Sequence, residues 1–394
     1  MSLNDTTTAE RIHIGFFGKR NAGKSSLINQ ITNQEVSLVS DVKGTTTDPV
    51  RKSMELLPLG PVTLIDTPGF DDEGDLGRMR VRRAMEMLSI CDIVIFVTDE
   101  MTLKDEELAL LKSIKGRNIP CLIVHNKTDL LDNLPENTED EFYVSAKNHI
   151  GIDALKDGIA NTFKGREKTI HFVRDFIKKG DTVILVTPID SSAPKGRMIL
   201  PQQQAIRDIL DGNGTAFVTQ VEELSKVLDN LKEKPALVVT DSQAFGKVMK
   251  IVPLDIKLTS FSILMARYKG FLDTAVAGAL AIDTLDDGAN ILICEGCTHH
   301  RQCEDIGTVK LPAWLKKYTG KNLNFTFTSG HGFAEDLSKY NLVIHCGACM
   351  LNDNEVKNRM LEALSNGIPF TNYGTAIAYM NGILNRSIAP IYNK

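Results

Sequence analysis

No uninterrupted apolar run among the 394 residues approaches the roughly 18 that a membrane-spanning helix needs; the longest, "DIVIFV" and "AVAGALAI", read as buried elements. The first residues, "MSLNDTTTAERIHIGFFG", lack a basic region followed by an apolar segment, so a soluble protein in the cytoplasm is expected, with no membrane partner. In a reducing compartment the seven cysteines are poor material for a disulfide framework and better material for core positions or metal ligands. Net charge is small: 45 Lys and Arg against 50 Asp and Glu leave -5, which offers no bulk attraction to nucleic acid, and basic, aromatic-rich stretches are missing too. Between residues 181 and 270 there is no cysteine, no histidine and no second phosphate loop, so no catalytic constellation is visible there. What is present is length, and at about 100 to 200 residues per domain it predicts two or three domains.

The first of these carries the densest signals. "IHIGFFGKRNAGKSSLINQIT" joins an apolar strand to a helix through Gly18, Asn21, Ala22, Gly23, Lys24, Ser25 and Ser26, the G-x-x-x-x-G-K-S phosphate loop in its required setting. Its glycines let main-chain amides turn toward phosphate, Lys24 reaches the terminal phosphates and Ser25 supplies a Mg2+ ligand. Downstream, "VTLIDTPGFDDEG" places Asp66 just past a strand to hold the magnesium shell, with the Gly69 amide facing the terminal phosphate. In "CLIVHNKTDL", Asn126, Lys127 and Asp129 follow a third strand. The Asp129 carboxylate accepts from the N1 and N2 donors of guanine, a pair that adenine lacks, so GTP is selected over ATP. "YVSAKNHIG" adds Ser145, Ala146 and Lys147 on the other side of the base.

This ordered set, with "GTTTD" between the first two motifs, resembles the translation-factor class of small GTPases over roughly residues 10–165, and within it the branch containing MnmE and Era. The resemblance implies that Asn21 helps hold an activating K+, that the loop around Val42 to Thr46 closes over it, and that Thr45 and Thr46 contact the nucleotide. Thr46 would join Ser25 and Asp66 around Mg2+, and Lys24, Thr46, Asp66 and Gly69 would form the catalytic set. The residue after "DTPG" is Phe70, which cannot orient water as a glutamine does. Asp71, Asp72 or Glu73 could take that role or form a solvated acidic loop, and slow, potassium-stimulated turnover is expected.

"KGREKTIHFVRDFIKKG", residues 164–180, reads as a linker with six basic residues against two acids. From residue 181 short apolar strands alternate with helical segments, an α/β order. Ser191, Ser192 and Asp241 follow strands there and read as turn residues, and the module as one that packs subunits together. A similar alternation resumes at "NILICEGCTHHRQCED" and runs through "NLVIHCGACM". Ligands just beyond the carboxyl ends of strands converge across the crevice of an open sheet, which would bring Cys297 together with Cys346 and Cys349. Zinc on Cys294, Cys297, Cys346 and Cys349 competes with an iron-sulfur cluster, although Cys294 shares strand parity with Leu292 and reads as a core cysteine.

A potassium-type GTPase domain, a middle α/β domain, and "CTH" followed much later by "HCGAC" resemble the HydF family of [FeFe]-hydrogenase maturation GTPases over essentially the whole chain. The resemblance implies a [4Fe-4S] cluster on Cys297, Cys346 and Cys349, with His299, His345 or Glu304 as candidates for the fourth position. It implies a scaffold and carrier that receives a diiron subcluster built with two radical-SAM maturases and delivers this cargo to apo-[FeFe]-hydrogenase. Three α/β domains with mainly parallel sheets are expected: a Ras-like P-loop GTPase at 1–168, a homodimer-forming domain at 169–264 and a cluster domain at 265–394. The competing readings are a tRNA- or ribosome-associated GTPase with a structural zinc domain and a GTP-gated redox protein.

Overall fold

The apolar runs that precede the nucleotide motifs become strands of one six-stranded sheet in the computed structural model: β1 (Ile12–Gly18), β2 (Val50–Leu56), β3 (Gly60–Asp66), β4 (Ile93–Thr98), β5 (Cys121–His125) and β6 (Glu141–Tyr143). The described residues are all but 1–7, 33–49, 70–83, 118, 132, 166–168, 189–197, 298–304, 331, 335 and 393–394. They divide into two units, Met1–Glu167 and Lys168–Lys394.

In the first unit the strand order is β2-β3-β1-β4-β5-β6, parallel throughout except for β2, which runs antiparallel to β3. All six residues of β4 are buried, as a strand covered on both faces requires. β1 feeds both sides: Ile14 and Phe16 enter one core with Leu64 and Val97, while Phe17 enters the other with Ile65 and Phe96. Cys91 belongs to the second core, so close to Gly15 that a Cβ there would meet its sulfur at 2.4 Å. The carboxyl ends of β1, β3 and β5 open onto the phosphate loop, Asp66 and Asn126, the end of an open sheet at which ligands bind.

The second unit holds two four-stranded, wholly parallel sheets. β7 (Thr182–Val186), β8 (Thr215–Thr219), β9 (Leu237–Thr240) and β10 (Leu258–Ser260) lie in the order β10-β9-β7-β8. β11 (Asn290–Glu295), β12 (Asn324–Ser329), β13 (Leu342–His345) and β14 (Phe370–Asn372) lie in the order β12-β11-β13-β14. Both sheets feed one continuous core, which contains Ile184, Val238 and Leu258 of the first together with Leu292, Val343 and Phe370 of the second. Arg386, on the helix Leu384–Tyr392, donates to the carbonyls of Val252 (3.0 Å), Pro253 (2.6 Å) and Ile256 (3.3 Å), just past the helix Phe245–Ile251. Among the described residues no helix is long and apolar enough to cross a membrane.

Candidate functional sites

In the first unit the motifs gather around a cavity of about 980 Å³ lined by Asn21, Gly23, Lys24, Ser25, Ser26, Asp66, Gly69, Asn126, Lys127, Asp129, Ala146 and Lys147, among others. Gly23 has φ +93, and a Cβ there would meet Asn126 Nδ2 at 2.1 Å, so only glycine lets the loop lie this close to the base-reading strand end. Asn126 fastens the two together: its Nδ2 donates to the Ala22 carbonyl (2.9 Å) and its Oδ1 accepts from the Ala146 amide (3.1 Å). The buried Lys24 ammonium donates to the carbonyls of Gly18 (2.9 Å) and Lys19 (2.7 Å). Asn21 adopts a left-handed φ of 63° in the same loop.

Ser25 Oγ donates to Asp66 Oδ2 at 2.5 Å, while the buried Asp66 Oδ1 has no hydrogen-bond partner among the described residues. An orphaned carboxylate oxygen beside a serine hydroxyl is a donor set that suits Mg2+. Burial pushes the Asp66 carboxyl above the ordinary range, against the opposing effects of the Ser25 hydroxyl and Lys24. Ser145 Oγ donates to Asp129 Oδ1 at 2.6 Å and holds that carboxyl below the usual range. Thr45, Thr46, Phe70, Asp71, Asp72 and Glu73 lie outside the described residues.

Sequence reasoning missed Glu107, on the helix Asp105–Gly116. It is fully buried, accepts from Thr98 Oγ1 (2.8 Å) and the Lys104 amide (3.0 Å), and pairs with Lys19 of the phosphate loop at 3.6 Å. An acid in a first helical turn is common for dipole reasons alone, so its sequence context carried no sign of this role.

In the second unit β11 and β13 are parallel neighbours with Cys294 opposite His345. Their carboxyl ends therefore place Gly296, the residue before Cys297, beside Cys346. The Cys346 amide donates to the Cys294 carbonyl (2.8 Å), and Cys346 Sγ accepts from the amides of Gly296 (3.1 Å) and Ala348 (3.3 Å). Ala348, at φ 56°, turns the chain so that its amide faces the sulfur. Burial raises the Cys346 thiol, and those two amides oppose the shift. The Cys349 thiol is pushed up to about 12 by burial and by Cys346. Cys294 is fully buried in the core, and burial pushes its thiol up to about 12.

Among the described residues no group of three or more His, Cys, Asp or Glu side chains stands ready to hold a metal ion. The segment 298–304 that follows Cys297, with His299, Cys303 and Glu304, and the segment 189–197, with Ser191 and Ser192, lie outside those residues. Asp241 accepts from the Gln243 amide, as a turn residue does. His345 is fully buried. Its Nδ1 lies 3.0 Å from the Cys346 carbonyl and its Nε2 lies 3.1 Å from Arg359 Nη1; burial and Arg359 lower its pKa to about 3.

Family models describe the chain in three parts. Residues 13–127 match the 50S ribosome-binding GTPase family, residues 172–270 the hydrogen maturase F dimerization domain and residues 273–390 the hydrogen maturase F tetramerization domain. The chain belongs to the hydrogen maturase F (HydF) family. Its α/β architecture is that of an amino-terminal P-loop GTPase domain followed by parallel-sheet domains. Curated relatives of the GTPase part include the tRNA modification GTPase MnmE of Francisella tularensis subsp. novicida, 34% identical over 177 residues, which are 42% of this chain and 39% of that protein. MnmE of Francisella philomiragia is 35% identical over 158 residues, 38% of this chain and 35% of that one. The chain thus spans about two-fifths of the length of these curated relatives. Among solved structures, Era in complex with MgGDPNP and a segment of 16S ribosomal RNA aligns at 18% identity and a TM-score of 0.33, over 53% of this chain and 92% of that one. The G domain of the T. maritima FeoB iron transporter aligns at 18% identity and a TM-score of 0.30, over 39% and 98%.

Proposed function

We propose that this HydF-family chain is a GTP-hydrolysing scaffold and carrier for the diiron subcluster of [FeFe]-hydrogenase, received with the help of two radical-SAM maturases and passed to the apo-hydrogenase. The observation that carries the reading is the juxtaposition of Cys346 with the strand end leading into Cys297, in a hydrogen maturase F segment of a chain that also bears a GTPase domain. The residues fit a [4Fe-4S] cluster on Cys297, Cys346 and Cys349. Two main-chain amides already point at one sulfur, and Gly347 and Ala348 leave little side-chain bulk between the thiols. With three thiolate ligands, such a cluster supplies one iron with an exchangeable position for cargo. Thiols must lose their protons to bind a metal, so loading is favoured as pH rises.

In the nucleotide site Lys24 neutralises the terminal phosphates, Ser25 and Asp66 hold Mg2+ together with Thr46, and Asp129 fixes the base. Turnover is slow and stimulated by K+ held through Asn21; equal rates in potassium and sodium would refute that assignment. GTP biases conformation or partner exchange and does not drive the cluster chemistry. The protein works as a homodimer: the edge strand β8 leaves Phe217 and Val218 exposed in the segment matched by the dimerization domain.

Anaerobic reconstitution with iron and sulfide tests the reading. Cys297→Ala, Cys346→Ala and Cys349→Ala are expected to lose the cluster and Cys294→Ala to keep it. A colourless protein holding zinc would favour the tRNA- or ribosome-associated reading, which the MnmE likeness of the GTPase domain supports. Cargo transfer that is identical for wild type and Lys24→Ala would defeat the role assigned to GTP.

A further inference from the structure

Arg359 lies inside the helix Asp353–Ser365 and is 4% exposed, an unusual place for a guanidinium unless several acceptors meet it. Three do. Nη1 donates to His345 Nε2 at 3.1 Å, and Nη2 donates to the Gly330 carbonyl and to Glu355 Oε1, both at 2.8 Å. Glu355, one turn earlier on the same helix and equally buried, balances the charge.

A guanidinium only donates, so His345 Nε2 is the acceptor and the ring proton sits on Nδ1, which donates to the Cys346 carbonyl at 3.0 Å. On the other arm the Gly330 amide, just past β12, donates to the Cys297 carbonyl at 3.3 Å. Two chains of hydrogen bonds therefore leave one side chain and end on the main chains of two cysteines that belong to different strand ends. Neither arm touches sulfur, and His345 keeps no nitrogen free for a metal.

We propose that Arg359 is a positioning residue that brackets the Cys297 and Cys346 strand ends into one metal site, with His345 as the relay on one arm and not as a ligand. The inference rests on the reading of these cysteines as cluster ligands. Its physical basis is preorganisation: ligands carried by separate strand ends must otherwise be ordered at the expense of metal affinity. Hydrogen-bonding partners behind first ligands typically change that affinity by about 10- to 100-fold.

The test compares the full chain with its Arg359→Met, Arg359→Lys and His345→Gln variants in two measurements. In the first, anaerobically reconstituted protein is challenged with an iron chelator. Arg359→Met is expected to lose iron about 10- to 100-fold faster than wild type. Arg359→Lys, which keeps the charge but not the two-armed fork, is expected to follow it. His345→Gln retains an acceptor for Arg359 and is expected to keep the electron paramagnetic resonance signature of the reduced cluster.

In the second, metal-free protein is treated with dibromobimane, which bridges two nearby thiols, and the Cys297–Cys346 cross-link is identified by peptide mass. Wild type is expected to form it and both Arg359 variants to form less. Iron loss and cross-linking in Arg359→Lys indistinguishable from wild type would overturn the bracket, as would a changed resonance signature in His345→Gln. Should wild type take up no iron, the cluster reading fails and the cross-linking alone decides on Arg359. Should Arg359→Met not fold by circular dichroism, Arg359→Lys carries the comparison.

Discussion

Asp129 is kept ionised by the Ser145 hydroxyl, which is the state that two N–H donors of guanine require. Replacing it with Asn substitutes an amide for a charge and removes at least one acceptor. With each bond to a charged acceptor contributing roughly a factor of ten or more, Asp129→Asn is expected to weaken GTP binding by about 100-fold. Xanthosine triphosphate, whose C2 carbonyl accepts from the new amide, is expected to gain affinity in competition binding. A variant still preferring GTP would refute the base-reading role. Asp66 gives a pH dependence with a definite sign. Its folded-state pKa lies above the ordinary 3.8, so protonation begins at higher pH than for an exposed aspartate. Without Mg2+, ionising this buried carboxylate opposes folding, and the penalty is relieved as pH falls through the raised pKa. Mg2+ requires the ionised form, so its affinity is expected to fall across that same interval. Mg2+ titrations at decreasing pH check this; a profile matching an ordinary exposed carboxylate would refute it.

The glycine at 278 shows how an element is placed. Alanine would favour its helix, Leu272–Leu280, by about 1 kcal/mol on propensity. A Cβ at that position, however, would lie 2.1 Å from the Phe370 carbonyl oxygen of β14, and overpacking of this kind costs about 1–3 kcal/mol. Sterics win, so Gly278→Ala is expected to lower the urea midpoint of the second unit; a midpoint at or above wild type would show that β14 gives way. Such close approaches were invisible in the sequence, whereas the elements themselves were not. Continuous apolar runs before "GKRNAGKS", "DTPG" and "NKTD" gave buried parallel strands, because strands covered on both faces need no polar alternation. Strand ends predicted that Cys297 meets Cys346 and Cys349; the structure shows the residue before Cys297, Gly296, donating its amide to Cys346 Sγ. Arg359 was not legible: in "NEVKNRMLEALSNG" it reads as one more charge on a polar helix, and only the meeting of Gly330, His345 and Glu355 makes its burial favourable. His345 invited a ligand reading through its neighbour Cys346, yet its position inside a fully buried β13 points it at Arg359.

Across the second unit the two sheets share one core, while the middle sheet buries its other face in a second cluster with Val183, Leu185 and Val239. Val238 on β9 and Val343 on β13 belong to one cluster, and Arg386 stitches the carboxyl-terminal helix to the end of the helix Phe245–Ile251. Cooperative units follow shared buried surface more closely than sequence boundaries, so residues 168–394 are expected to unfold as one transition despite matching two family models. Val238→Ala, which removes methyl groups from the middle sheet far along the chain from any cysteine, supplies the test. The cavity it leaves is expected to cost about 2 kcal/mol. If the unit is cooperative, that loss lowers equally the midpoints reported by fluorescence of Trp314, on the helix Leu311–Thr319 against the shared core, and by hydrogen exchange of the β7 and β9 amides. Distinct midpoints for the two probes would mean that the sheet of β11 to β14 stands alone. A common midpoint would instead show that the shared core makes each sheet sensitive to the stability of the other.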